Sequence, residues 1–256
     1  MTIGVHEFWA SVLIFCRVAA LFTTAPIFGN RSIPKQVKVG LAAVLTLAML
    51  PLVGPKVGAA PADMISMITQ IAAETAVGFC LGFMVQLLLS AFQMAGYYID
   101  TQMGFGIINI LNPFTEQQTS AMGQFMYQLA MTLFLIAGGH LFLIATVAGS
   151  YVTVPPGGAH FSGDMSGAFT AFLGQLFVIS VKIAAPAAAV LMVVDIAFAI
   201  VARTVPQMNV FIVGMPVKII VGLLTLAIVL PVLAFVISQI PMLMGTGAQT
   251  VLQAAR

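Results

Sequence analysis

Six apolar runs occupy most of this chain, each about as long as a helix needs to be to cross a bilayer. They cover 8–28, 37–53, 64–95, 122–147, 169–202 and 211–244. A chain so built must satisfy every backbone amide and carbonyl within its own segments, which leaves helices or a closed barrel. The alternation of outer-membrane strands is absent, so helices are expected. Only 6% of residues are charged and 61% are hydrophobic. A soluble domain carries about 25% charged residues, so the expected class is an all-α membrane protein. The third run has 32 residues, too many for one untilted span. The short N-terminal MTIGVHEF lacks a basic region, so no cleavable signal peptide is expected.

Several function classes drop out early. A net charge of +2 is too small to argue for nucleic acid. Cys16 and Cys80 lie inside apolar runs and read as small buried hydrophobes, without metal-ligand spacing. His140, in Gly138-Gly139-His140, reads as a packing residue rather than a ligand. No serine–histidine–aspartate set, phosphate-binding loop or dinucleotide fingerprint is present. No catalytic, cofactor or metal site is therefore expected, and the chain reads as a non-enzyme.

Basic residues cluster weakly. With six alternating spans, one side holds Arg31, Lys35, Lys38 and Arg203, and the other holds Lys56 and Arg256. That four-to-two bias favours the first side as cytoplasmic, with both termini outside.

Charges inside the apolar runs are more telling. Arg17, Glu74, Lys182, Asp195 and Lys218 lie within them, and Arg203 at a boundary. Each costs about 2.5–3.5 kcal/mol on insertion scales and so needs protein, water or a partner. Lys182 and Asp195 are 13 residues apart on one run, about 20 Å and over about 200° around a helix, too far to pair. If the last two runs fold as a hairpin with Gln207 near its tip, Asp195 lies 12 residues before it and Lys218 11 after. The two then face each other at nearly equal height, as a buried ion pair that fixes hairpin register. A proton relay is the competing reading. A second alternative is a small secondary transporter using Lys182, Asp195 and Lys218.

The connecting stretch 202–218 reads ARTVPQMNVFIVGMPVK. Pro206 removes a backbone donor and turns Val205 away from helix. Gln207 and Asn209 carry groups that suit the carbonyls left at the break, and Pro216 repeats the interruption. The tip at Arg203, Pro206, Gln207 and Asn209 is either solvated or docked on another subunit.

The central segment 103–124 reads MGFGIINILNPFTEQQTSAMGQ. Gly104 and Gly106 loosen the end of the preceding helix. Ile107, Ile108, Ile110 and Leu111 form an apolar stretch too short to span and too apolar for an ordinary loop. It lies against protein, blocks a cavity, or forms a re-entrant turn. Methionines around it, including Met103 and Met122, suit a deformable packing.

Taken in order, these segments resemble the FliR-type export-gate family, the R component of flagellar type III secretion with relatives in injectisomes. The resemblance runs the length of the chain. It lies in RVAALFTTAPIFG at 17–29, in Ile33-Pro34 with Lys35 and Lys38, in 102–113, in Gly139-His140, and most strongly in VPQMNVFIVGMPVK at 205–218. PQMN leans flagellar. The resemblance implies a structural and gating subunit that joins P-type and Q-type membrane proteins to form a channel for unfolded export substrates, one R subunit per complex. It further implies contact with a B-type switch protein, an A-type export component and lipid, with no cofactor, in the bacterial inner membrane at the flagellar basal body. Residues 1–165 become a P-like part with a plug at about 103–120, and 166–256 a Q-like hairpin with its turn at about 203–210. Ile107, Ile108, Ile110, Leu111 and Phe114, with Met103 and Met122, would form the plug.

Overall fold

A computed structural model describes residues 4–29, 33–105, 120–159, 164–207, 209–238, and 240, 245, 247–250 and 252. Among these residues the chain forms seven α-helices and one 3-10 turn, with no strand. We label them α1 Val5–Thr24, α2 Lys35–Val53, α3 Met64–Met103, α4 Ala121–Ile136, α5 Gly139–Thr153, α6 Asp164–Thr204 and α7 Val210–Ser238. Five helices are long and apolar enough to cross a membrane. The chain is an all-α membrane protein.

Local chemistry sets the helix ends. α1 stops at Ala25, held extended (φ −61°, ψ 133°) by the following Pro26. α2 starts after Pro34 and ends two residues past Pro51. Asp63 caps α3 by accepting from the Ser66 amide at 3.0 Å. That bond, with a second from the Ser66 hydroxyl, holds the Asp63 carboxyl below its ordinary range. At the other end of α3, Gly104 takes φ +90°, and Phe105 N donates to Asp100 O while Gly104 N donates to Thr101 O. This is the left-handed glycine stop with paired reversed bonds. Ser120 Oγ accepts from Gly123 N at 2.8 Å and opens α4. Within the helices, hydroxyls of Thr46, Thr75, Thr101, Thr146 and Thr225 donate to the carbonyl four residues back, so they add no unsatisfied group to an apolar setting.

The fourth apolar run departs from expectation. It is two helices rather than one, broken at Gly138 with φ +76°. A left-handed residue cannot continue a right-handed helix, and glycine adopts it without a Cβ penalty. The prolines behave oppositely. Pro186 lies inside α6, and Pro216 and Pro231 lie inside α7. Pro216 therefore does not interrupt its helix as the sequence suggested.

The chain divides into two compact units. The first comprises Met1–Leu87, Gly138–Leu173 and Ile240–Arg256. In it α1 and α2 pack antiparallel, with His6 Nε2 donating to the Val57 carbonyl at 3.0 Å. Trp9, Ala10, Leu13 and Val57 form a core patch against Leu50, Met67 and Ile71. α1 and α3 lie parallel in near-backbone contact. A Cβ on Gly78 would strike the Arg17 carbonyl, and one on Gly82 would strike Thr24 Oγ1 and come within 2.9 Å of Leu21 O. Gly78 and Gly82 are thus a small-xxx-small pair that lets two apolar helices meet closely.

The second unit comprises Leu88–Ala137 and Gly174–Gln239. Its α3 residues meet α4 at Gly96, where a Cβ would lie 2.5 Å from Met122 O and 2.8 Å from Gly123 Cα. α4 also packs on α7. Across the apolar windows of α6 and α7 only 22% and 17% of residues are buried, against 56% for α3. These two helices present apolar surface that lipid or other chains must cover.

Candidate functional site

Four places were expected to carry function or assembly, and the first unit adds one more. Arg17 and Glu74 are fully buried. The guanidinium grips the carboxylate with two bonds, Nε to Oε2 at 2.6 Å and Nη2 to Oε1 at 3.0 Å. Nη1 donates to Ser150 Oγ at 3.0 Å and to the Val154 carbonyl at 3.1 Å. Gly157 N donates to Glu74 Oε1 at 2.8 Å, from a turn where Gly157 takes φ +77°. The guanidinium carbon sits 4.2 Å from the Tyr151 ring centre, and the Tyr151 hydroxyl donates to Ile14 O at 3.4 Å. Every strong group has a partner, which is the condition for a buried charge pair to persist. The cluster ties α1, α3, α5 and the Val154–Gly157 turn together. With no free lone pair aimed at open space, it is a clamp rather than a reaction centre.

In the second unit, α6 and α7 form the expected hairpin. Lys218 Nζ pairs with Asp195 Oδ1 across it. The expectation of a buried pair needs correction. The side chains are 21% and 43% exposed, because two helices alone cannot enclose a pair on their flank. Only a neighbouring chain or lipid headgroups would close it off. Exchanging the two residues tests the register role. Asp195→Lys and Lys218→Asp should each reduce the recovered complex severalfold, and the double exchange should restore most of it. A double variant no better than either single one would refute a register role.

The tip lies between Thr204 and Val210. Arg203, Pro206, Gln207 and Asn209 are all exposed. Asn209 Oδ1 lies 3.4 Å from Ile212 N, where it caps α7. The expected plug residues Ile107, Ile108, Ile110, Leu111 and Phe114 lie outside the described residues. Their two flanking methionines do not. Met103 is fully buried, and a Cβ on Gly222 would lie 2.8 Å from its Cγ and 2.9 Å from its Sδ. Met122 is half-buried, its carbonyl pressed against Gly96.

The three residues of the transporter alternative do not meet. Lys218 pairs with Asp195, while Lys182 borders Val229, Val232, Leu233 and Val236 of α7. The 13 residues between Lys182 and Asp195 are about 20 Å of helix. Among the described residues no group of three histidine, cysteine or acidic side chains is placed to hold a metal ion.

Sequence reasoning missed the Arg17–Glu74 clamp. Two signals were available: opposite charges in separate apolar runs, and Gly78 and Gly82 one and two turns beyond Glu74 on the same helix face.

A model of the family described as bacterial export proteins, family 1, matches residues 8–243. The flagellar biosynthetic protein FliR of Bacillus subtilis (strain 168) is 35% identical over 236 residues, 91% of this chain and 90% of that protein. FliR of Escherichia coli (strain K12) is 32% identical over 223 residues, 85% of this chain and 83% of that protein. FliR of Aquifex aeolicus (strain VF5) is 29% identical over 238 residues, with 91% and 90% covered.

Proposed function

Given that the chain belongs to the bacterial export proteins, family 1, as a FliR-type flagellar biosynthetic protein and a membrane component of the flagellar export apparatus, we propose that it is a structural and gating subunit of the export gate. In this reading it joins P-type and Q-type subunits, one R subunit per complex, around a channel for unfolded flagellar proteins. The complex sits in the bacterial inner membrane at the basal body, near a B-type switch protein and an A-type export component. Residues 1–165 act as the P-like part. Residues 166–256, with α6 and α7, act as a Q-like arm whose tip at Arg203, Pro206, Gln207 and Asn209 docks on a partner. The chain performs no chemistry in this role; energy for export comes from elsewhere in the apparatus.

One observation carries the reading. Two charge pairs inside the apolar helices, Arg17–Glu74 and Lys218–Asp195, hold helices together, while α6 and α7 keep most of their apolar surface uncovered. A transporter gathers such groups at a shared site near mid-membrane. An assembly subunit uses them as fasteners and leaves broad apolar faces for neighbours.

The gating part assigns Ile107, Ile108, Ile110, Leu111 and Phe114 to a plug that excludes water, since hydrophobic constrictions close by dewetting. Met103 and Met122, at the two ends of that segment, supply deformable packing. Deleting 106–114 from the co-expressed complex should raise ion conductance in cells or in planar bilayers. A correctly assembled complex with unchanged conductance would remove the plug from the account.

A further inference from the structure

Lys182 is a charge inside an apolar helix for which the fold supplies no counter-charge among the described residues. Arg17 holds Glu74, and Lys218 holds Asp195. Lys182 is exposed on α6, directly before the most apolar stretch of that helix. It borders a groove of about 160 Å³ between α6 and α7, lined by Ile179, Ile183 and Pro186 on one side and Val229, Val232 and Leu233 on the other. Ile183 and Leu233 close the groove floor, 6% and 2% exposed, while Val232 stands 59% exposed on its lip. Pro186 adds to the polarity. It has no amide hydrogen to give the Lys182 carbonyl four residues back. The ammonium of Lys182 is the group at this groove that can hold an anion, in an otherwise hydrocarbon lining.

Acyl chains give the ammonium no partner, and a bare ammonium in lipid costs about 2.5–3.5 kcal/mol on insertion scales. Leu173, Phe177, Val178 and Val181 on one side of Lys182, and Val190, Met192 and Val193 on the other, are exposed apolar side chains, so the surface of α6 around the ammonium is hydrocarbon.

The geometry points to a docking site for an apolar helix of another subunit that carries one aspartate or glutamate, its carboxylate seated on Lys182 and its apolar flank in the groove. Charge complementarity selects this occupant: the groove supplies hydrocarbon on every side and a single cation at its rim. The site is separate from the hairpin tip and from the Asp195–Lys218 pair.

The test uses the full chain expressed with its companion membrane subunits. A photoreactive residue at position 232 should cross-link to a membrane helix of a companion chain, and mapping of the linked peptide should find an aspartate or glutamate within it. Lys182→Glu and Lys182→Met should each weaken recovery of the companion by about thirtyfold or more, the scale set by leaving a buried partner charge unpaired. Lys182→Arg should retain it. Lysine placed at the mapped carboxylate should restore binding to the Lys182→Glu chain. Cross-linking to phospholipid alone, or undiminished recovery of the companion with Lys182→Met, would overturn the inference. Since the linked peptide identifies the neighbour whatever it does, failure of the channel reading would leave this result interpretable.

Discussion

Removing either half of the Arg17–Glu74 pair should cost the chain much of its stability, whereas removing both should cost less. Arg17→Met leaves a fully buried carboxylate facing only Gly157 N; Glu74→Met leaves a fully buried guanidinium facing Ser150 and the Val154 carbonyl. Breaking one side of a buried pair costs about 3–5 kcal/mol, because the surviving charge keeps its desolvation penalty and loses its counter-charge. Native stabilities are about 5–15 kcal/mol in all, so each single variant approaches the limit of folding. The double variant Arg17→Met/Glu74→Met removes both charges. It still strands the Gly157 amide and the Val154 carbonyl, so it should recover part of the loss rather than all. Thermal melting followed by fluorescence-detected size exclusion in detergent reads this. The single variants should melt on the order of 10 °C below the parent, and the double variant between them and the parent. Single variants that melt with the parent would refute the clamp.

The second large effect is steric. Gly78 lies one helical turn past Glu74, against the Arg17 carbonyl, and a Cβ there would overlap that oxygen and lie 2.9 Å from its carbon. The obstacle is backbone, which no rotamer change clears, so Gly78→Val must force α1 and α3 apart. Overpacking in a tight core typically costs about 1–3 kcal/mol, occasionally more. Here the displaced helices also carry the two ends of the clamp, so the losses compound. Gly78→Val should yield little folded chain, with Gly82→Val close behind. Gly174, inside α6, has nothing within 4 Å of its missing Cβ. Gly174→Ala should be neutral or stabilising by about 0.5–1 kcal/mol, since alanine suits a helix interior better than glycine. If Gly78→Val and Gly174→Ala melt alike, close approach of α1 and α3 is not what the glycines provide.

Much of the architecture was legible in the residues. The apolar runs became helices, and Gly104 ended α3 as a glycine with freedom to go left-handed. The Asp195–Lys218 pair was legible because a hairpin turns linear distance from its tip into height, and the two residues are 12 and 11 positions away. The Arg17–Glu74 pair offered no such ruler. Its members are 57 residues apart with α2 between them, and parallel packing of α1 on α3 follows from the glycine face rather than from loop length. The break at Gly138 was hidden for a related reason. Hydropathy runs unbroken through 122–147, and only the backbone dihedral shows that the helix stops. Prolines misled in the other direction. Pro216 looked like a break, yet a helix tolerates one lost amide where the rest of its backbone bonds and its apolar setting favour helix. Burial of the ion pair was overestimated because sequence reasoning supplied neighbours that the isolated chain lacks.

In the proposed role this chain is a fastened subunit of a larger gate and does not work alone. Its most direct test is purification of a tagged copy with and without co-expressed P-type and Q-type subunits, followed by native mass spectrometry. The proposed role predicts a defined complex containing one copy of this chain with several companions, and an unstable or aggregating chain in their absence. A monodisperse monomer or homodimer that ignores its companions would contradict it.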